Sequence, residues 1–136
     1  MMAKLHIDRH RLFRVLARVW IITLTILMLL PGKSIPVVRW ALNIPIDKTI
    51  HFLSFFFLAA GFLLGYRWED RSKRRILFVE LLVYASIMEV IQHLLQPSRA
   101  FEMADMLANI LGIITAFIGY YVLGKFIKKL TLNPPN

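Results

Sequence analysis

The chain contains no cysteine, and only eight of its 136 residues are acidic. The absence of cysteine excludes disulfide bridges, thiol catalysis and zinc sites built from thiolates. Seventeen Lys and Arg residues give a formal net charge of +9. Because these basic residues flank apolar runs, and no basic face with interleaved aromatic residues is left, we expect no nucleic-acid partner. We attribute the charge to membrane topology and to contact with anionic lipids.

Hydrophobic residues make up 58% of the chain, which is more than a water-soluble domain of this size can bury. Each crossing of a bilayer requires roughly 20 mainly apolar residues, and only helices or closed barrels satisfy their backbone hydrogen bonds in lipid. The apolar runs therefore predict a single all-α membrane domain over residues 1–136, with about four transmembrane helices. The runs cover residues 12–30, 50–66, 76–95 and 106–126.

The first apolar run follows a basic segment, as in a signal peptide, but the sequence after it lacks a small-x-small cleavage pattern. We interpret this run as a retained helix that ends at Pro31. The segment that follows, residues 32–45, contains Trp40 and includes Pro36 and Pro45. This composition predicts an interfacial loop, with room for a short helix over residues 37–42 that lies flat on the membrane.

The distribution of basic residues predicts how the chain is oriented in the membrane. Thirteen of the 17 Lys and Arg residues lie in the N-terminal segment, in the loop between the second and third runs, or in the C-terminal tail. Cytoplasmic segments carry an excess of Lys and Arg. We therefore expect both termini and the middle loop in the cytoplasm, and the other two loops on the opposite side.

Several ionisable and amide side chains lie in or beside these runs, and inserting one into hydrocarbon costs about 2.5 to 3.5 kcal/mol. Asp47 and His51 lie four residues apart on one face of the second helix, with Lys48 beside them. They suit an acid/base pair or two metal ligands, or else a dipole-stabilised carboxylate beside an interfacial histidine. Glu89 and Gln92 lie in the outer half of the third helix, where Glu89 is either a site residue or half of a buried ion pair.

A further group of polar residues surrounds the start of the fourth helix. Arg99 precedes this helix and would either grip a phosphate or carboxylate or neutralise a neighbouring acid. Asp105 and Asn109 lie four residues apart, and Gly112 continues their face. Asp105 also suits a helix N-terminus, and Asn109 with Gly112 also suits close helix packing. Because three segments bring polar groups to one depth, we predict an outward-opening pocket shared by helices two, three and four.

Taken in order, these motifs resemble the VanZ-like family, which is named for a protein of glycopeptide-resistance gene clusters associated with teicoplanin resistance. They fall within residues 46–124, the motif-bearing part of the predicted domain. The resemblance implies a small helical membrane protein but supplies no defined reaction. We expect a bacterial plasma-membrane protein whose site faces the extracytoplasmic side. The matching residues are Asp47-Lys48-x-x-His51, Glu89-x-x-Gln92 and Arg99-x-Phe101-x-x-x-Asp105-x-x-x-Asn109-x-x-Gly112.

The leading hypothesis is a site that binds, and in its stronger form modifies, the polar head of a lipid or lipid-linked cell-envelope precursor. As an enzyme, the protein would be a metal-assisted or acid/base hydrolase or transferase acting on a headgroup linkage. No nucleophile stands out, so catalysis is left open, as are the cofactor, for which a divalent metal is one candidate, and oligomerisation. The alternatives are non-catalytic binding or shielding, a structural subunit, and a proton-coupled carrier. The catalytic candidates are Glu89, His51 and Asp47, and the substrate-binding candidates are Lys48, Gln92, Arg99, Asp105 and Asn109.

Overall fold

The computed structural model describes residues 8–30, 46–66, 70–95 and 102–132, and every regular element within these ranges is an α-helix. The prediction of an all-α chain with four helices of membrane-spanning length and hydropathy is confirmed. The interfacial helix expected over residues 37–42 lies outside the described residues. The helices are α1 (Arg9–Leu29), α2 (Ile46–Gly65), α3 (Arg71–Leu95) and α4 (Met103–Leu132).

Each helix begins a few residues before the apolar run that predicted it. The run marks only the part of a helix that suits hydrocarbon, whereas polar residues cap and extend its first turn. Asp8 precedes α1, and its carboxylate accepts a hydrogen bond from the backbone N–H of His10 at 3.1 Å. Asp70 accepts in the same way from the N–H of Ser72, at 2.7 Å, ahead of α3. The charged segments next to the apolar runs are thus helical turns.

Helix α2 makes its most extensive contacts with α4 and then α1. Helix α1 runs antiparallel to α2, because Gly65 at the end of α2 lies against Arg14 near the start of α1. Further along this pair, the indole N–H of Trp20 donates to the backbone carbonyl of Ser54 at 3.0 Å. The other neighbour of α2 is helix α4, which runs in the opposite direction to α1.

Helix α4 runs parallel to α2. Lys48, near the start of α2, forms an ion pair with Asp105, near the start of α4. Further along both helices, Gly112 of α4 lies against the backbone of Phe52 and Phe56 of α2. A parallel pair places two helix N-termini side by side, and each carries the positive end of a helix dipole.

Glycine at position 112 allows α2 and α4 to approach backbone to backbone. A Cβ atom there would overlap the carbonyl oxygen of Phe52 and lie 3.0 Å from the amide nitrogen of Phe56. Both obstacles are backbone atoms, so no side-chain rotation would relieve the contact. Gly61 has a milder role against α1, where a Cβ would lie 3.1 Å from the Cβ of Ala17. Small residues at helix contacts are a common feature of membrane bundles.

The bundle is apolar on its outside as well as in its centre. The buried centre consists mainly of leucine, alanine and methionine side chains. All four helices also expose large hydrophobic side chains, where a water-soluble bundle would place charged residues. The protein is therefore a membrane protein whose outer helix faces contact lipid. One exposed residue from each helix illustrates the pattern: Ile22, Leu53, Val83 and Leu111.

Candidate functional site

In the described part of the chain, the buried polar side chains lie at one end of the bundle. Five polar or ionisable side chains are buried there, one on α2 and two each on α3 and α4. All five lie within about two turns of the start of α2 and α4 or of the end of α3. Each is a residue that the sequence predicted for the site. They are His51, Glu89, Gln92, Asp105 and Asn109.

Lys48 lies among three carboxylates at this end. Its ammonium nitrogen Nζ is 2.5 Å from Oδ1 of Asp105 and 3.5 Å from Oδ2 of Asp47, and it forms a third ion pair with Glu102. We call Asp47, Lys48, Glu102 and Asp105 the acidic cluster. Three carboxylates and one ammonium leave a formal charge of −2, so the acidic cluster favours further positive charge nearby.

His51 connects the acidic cluster to a buried amide. Its Nδ1 lies 3.0 Å from Oδ1 of Asn109, a side chain with 0% exposure. Because an amide oxygen only accepts hydrogen bonds, Nδ1 is the donor in this contact, and in the neutral tautomer with this proton Nε2 carries the lone pair. Nε2 faces the acidic cluster, 3.9 Å from Oδ1 of Asp47 and 3.9 Å from Oδ2 of Asp105. Both distances exceed the length of a hydrogen bond.

The local sequence places these acids where helices favour them. Asp47 lies in the first turn of α2 and Asp105 in the first turn of α4. The backbone N–H groups of a first turn have no partner within the helix, so a negative charge beside them is stabilised by about 0.3–1 kcal/mol. Helix capping thus accounts for the acids at these two positions, but not for the histidine and lysine between them.

Helix α3 brings two further polar side chains to the same depth. Tyr84 of α3 packs on Phe55 of α2, with ring centroids 5.9 Å apart. Phe78 of α3 packs on Phe117, further along α4, so α3 runs in the opposite direction to α2 and α4. A rise of 1.5 Å per residue then puts Glu89 within about one turn of the level of His51. Gln92 lies almost one turn beyond Glu89. Both side chains are buried, with 4% and 6% exposure, and therefore face the interior of the bundle.

Three side chains of this site offer ligand atoms to a single point. One atom each from Asp47, His51 and Asp105 lies within 4.8 Å of the other two. Carboxylate oxygens and a neutral imidazole nitrogen are ordinary ligands of divalent ions. The Asp47 side chain is 46% exposed, whereas the other two are nearly buried, so the group is approached from the Asp47 side. None of the five buried polar side chains carries a hydroxyl or thiol nucleophile.

The motifs and the fold agree with one family of membrane proteins. A family model described as VanZ/LLP1 matches residues 6–124 of the chain. The chain belongs to the VanZ/LLP1 family. The resemblance drawn from the motifs is thereby confirmed, and the match also covers α1, which carries none of those motifs. No curated protein and no solved structure matches the chain.

The eight residues predicted for the site of this VanZ/LLP1 protein fall into three groups. Glu89 and Gln92 are buried on α3 at a matching depth. Arg99 lies outside the described residues. The other five are linked by contacts within and between α2 and α4: Asp47, Lys48, His51, Asp105 and Asn109.

Sequence reasoning missed one member of the acidic cluster. Glu102 precedes α4 by one residue and pairs with Lys48. Its only sequence signal is its position three residues before Asp105, which resembles an ordinary acid near a helix start. Its contact with Lys48 depends on the parallel pairing of α2 and α4, which no local pattern specifies.

Proposed function

We propose that this VanZ/LLP1 protein binds the polar head of a lipid, or of a lipid-linked cell-envelope component, at the acidic cluster. The observation that carries the proposal is the burial of polar side chains at one end of an otherwise apolar bundle. That end lies within about two turns of the helix termini, which is the depth of headgroups around a hydrocarbon core of roughly 30 Å. The exposed side of Asp47 offers a headgroup a route to the buried His51.

The chemistry of the site suits a headgroup that carries more than one kind of polar group. The formal charge of −2 favours an amine or hydroxyl groups of a headgroup, whereas a phosphate would be attracted only by the two adjacent helix N-termini. The carboxylates of Asp47, Glu102 and Asp105 accept hydrogen bonds from sugar hydroxyls or an amine. In the proposal, the site faces the extracytoplasmic side of a bacterial plasma membrane, because most basic residues flank the opposite helix ends.

Mass spectrometry of lipids that co-purify with the protein in mild detergent tests the proposal. We expect one class of phosphate- or sugar-bearing lipid to be enriched over its share of the source membrane. The Lys48→Ala/Asp105→Asn variant should lose that enrichment. Lys125→Ala should keep it, because Lys125 is an exposed cation on α4 that contacts the ring of Tyr121 outside the acidic cluster. An identical lipid profile in all three proteins would contradict headgroup binding.

The stronger form of the proposal adds acid/base chemistry at a headgroup linkage. Glu89 is the candidate base, since it is a buried carboxylate at the level of His51. Purified Glu89→Ala should still enrich the same lipid but should not convert it to a product that the wild-type protein forms in reconstituted vesicles. If the wild-type protein forms no product from any enriched lipid, the protein is a binder or a shield.

A structural role is a second candidate, and the internal pairing of the site favours it. Lys48 already contacts three carboxylates and His51 contacts Asn109, so these groups link α2 to α4 without a ligand. Replacing a buried ion pair with apolar residues of similar size is often neutral or stabilising. If the site binds a headgroup, Lys48→Met/Asp105→Leu should unfold at nearly the wild-type temperature but lose the lipid. Loss of the fold would favour the structural role.

A contribution to glycopeptide resistance, with teicoplanin as the test compound, is proposed on family membership alone. Expression of the wild-type chain in a susceptible bacterium should raise the inhibitory concentration of teicoplanin. The same measurement with Lys48→Ala/Asp105→Asn shows whether the acidic cluster is needed. Equal susceptibility with and without the wild-type chain, at confirmed expression, would remove resistance from the proposal.

A further inference from the structure

We propose that Asp47, His51 and Asp105 bind one divalent transition-metal ion, of the Zn²⁺ or Mn²⁺ type, between α2 and α4. The inference is independent of headgroup binding, because it concerns the affinity of the chain for the metal alone. Their converging ligand atoms come from two helices that the fold holds in backbone contact at Gly112. The ligands are therefore positioned by helix packing.

The first argument is the orientation of His51. The hydrogen bond from Nδ1 to Asn109 leaves the Nε2 lone pair directed at two carboxylate oxygens. Three acceptor atoms that face one another repel unless a proton or a cation lies among them. A proton on Nε2 would need an oxygen near 2.8 Å, but both oxygens are 3.9 Å away. Ligand atoms of an ion with bonds of about 2.0–2.2 Å are separated by roughly 3 to 4 Å, so the spacing suits an ion.

The second argument concerns the direction of the two oxygens in each of the carboxylates of Asp47 and Asp105. Asp47 and Asp105 each direct one oxygen to Lys48 and the other to His51. Lys48 thereby neutralises one side of both carboxylates, and the oxygens that face His51 are the ones proposed to bind the ion. With Glu102 included, the formal charge of the acidic cluster is −2, which one divalent ion would cancel.

Asn109 supplies an independent sign that a ligand belongs here. Its side chain is completely buried, yet its Nδ2 has no hydrogen-bond partner among the described residues. A buried amide donor without a partner costs about 1–3 kcal/mol, so native proteins rarely keep one without a reason. Metal-bound histidines usually donate their other ring N–H to such a second group, and Asn109 accepts from His51 in that way.

The ligand types narrow the choice of ion. An imidazole nitrogen suits zinc, manganese, iron and similar ions, whereas calcium and magnesium prefer shells of oxygen atoms alone. Three protein ligands also leave coordination positions for water or for an oxygen of a substrate, as in metal sites that act on ligands. The exposed edge of Asp47 is the side from which such a group would enter.

Calorimetric titration of the full chain with Zn²⁺ tests the inference. The protein is purified with a tag that contains no histidine, and a chelator removes bound metal before the titration. We expect one ion per wild-type chain. His51→Gln and Asp105→Asn should bind more than about 100-fold more weakly, and Asn109→Ala about 10- to 100-fold more weakly. His93→Gln should match the wild type, because His93 is exposed on α3. Equal binding by all variants, or no stoichiometric binding by the wild type, would overturn the proposal.

Lys48→Ala keeps the test decisive if the ligand variants fail to fold. This variant retains all three ligands and removes the competing ammonium, so it should bind Zn²⁺ at least as tightly as the wild type. Zn²⁺ should raise its melting temperature by more than that of the wild type, because the ion replaces a missing positive charge. An unchanged melting temperature in both proteins, or a rise with Ca²⁺ or Mg²⁺ alone, would contradict the assignment.

Discussion

Helix α2 packs closely on both sides, but only one of its two interfaces buries charged side chains. Against α1, Gly61 lies on the small Ala17, Gly65 lies on Arg14, and one indole bonds to a backbone carbonyl. Against α4, the close contact at Gly112 lies beside His51 and the acidic cluster. The α1 interface shows that two helices of this chain pair without buried charge. Buried charge is therefore not needed for close helix pairing in this chain, and the polar residues between α2 and α4 are the ones proposed to bind a headgroup.

The polar groups at the far end of the α1 interface make the contrast clearer. Arg18 donates to the hydroxyl of Tyr66 at 3.3 Å, and the guanidinium of Arg14 lies 5.7 Å from the centre of the same ring. These contacts are exposed, so each contributes little to stability. The basic residues of α1 thus remain near the surface, whereas Asp105 and His51 are enclosed by the bundle.

The largest expected effect comes from Gly112→Ala, which tests the close backbone contact between α2 and α4. The new Cβ would overlap the carbonyl oxygen of Phe52, and the two helix backbones would have to move apart. We expect a loss of about 3 kcal/mol in the free energy of unfolding, measured by SDS-induced unfolding in mixed micelles. Gly119→Ala is the matched control, because its Cβ would meet nothing within 4 Å. Equal stability of the two variants would show that α2 and α4 are not packed this closely.

Lys48→Ala should cause the next largest loss of stability. Together with Arg18→Ala, it compares the contribution of a charged side chain at the α4 interface with that at the α1 interface. It leaves the carboxylates of Asp47 and Asp105 without their shared ammonium. Lys48 is partly exposed, so we expect a loss of about 2 kcal/mol, below the roughly 3–5 kcal/mol for breaking a fully buried pair. Arg18→Ala, at the α1 interface, should lose less than about 0.5 kcal/mol in the same unfolding assay. A larger loss for Arg18 than for Lys48 would reverse the comparison.

Trp20→Phe measures the one indole hydrogen bond that joins α1 to α2. The substitution removes the N–H that donates to Ser54 but keeps an aromatic ring in the contact. Hydrogen bonds between membrane helices contribute about 0.6 kcal/mol on average, and we expect a loss near that value. Trp20→Ala should lose more because the packed ring is lost as well. No difference between the two variants would mean that the hydrogen bond, and not the packing of the ring, accounts for the loss.

Gly61→Ala should have the smallest effect. Its Cβ would lie 3.1 Å from the Cβ of Ala17, so α1 would need to move by only a few tenths of an ångström. The higher helix propensity of alanine, about 1 kcal/mol, opposes that strain. We expect a net change within about 0.5 kcal/mol in the unfolding assay. A loss as large as that of Gly112→Ala would show that the contact at Gly61 is as tight as the one at Gly112.

The number and type of the helices could be predicted from the sequence, but their ends could not. Hydropathy identified all four helices, yet α3 begins at Arg71 and not at residue 76, where the apolar run begins. The first turn of α3 contains basic residues that belong at a membrane surface and still have helical backbone hydrogen bonds. Hydropathy reports the medium around a residue, whereas a helix end depends on capping, as at Asp70.

Most residues of the candidate site could be named from the sequence, but the contacts between them could not be predicted. Spacing put Asp47 with His51 on one helix face and Asp105 with Asn109 on another, because a helix repeats locally. The hydrogen bond between His51 and Asn109 joins residues 58 positions apart. No periodicity in either segment predicts such a contact, and for the same reason Glu102 was missed.

The sequence by itself determined that this chain is a four-helix membrane protein with polar side chains near one end of its helices. It could do so because hydropathy and helical spacing are local properties of neighbouring residues. Only the tertiary structure decided that α2 and α4 are parallel neighbours, that Lys48 is shared by three carboxylates, and that His51 faces two of them. These features depend on which helix faces pack together, and that choice is made by the whole bundle, through close contacts such as the one at Gly112.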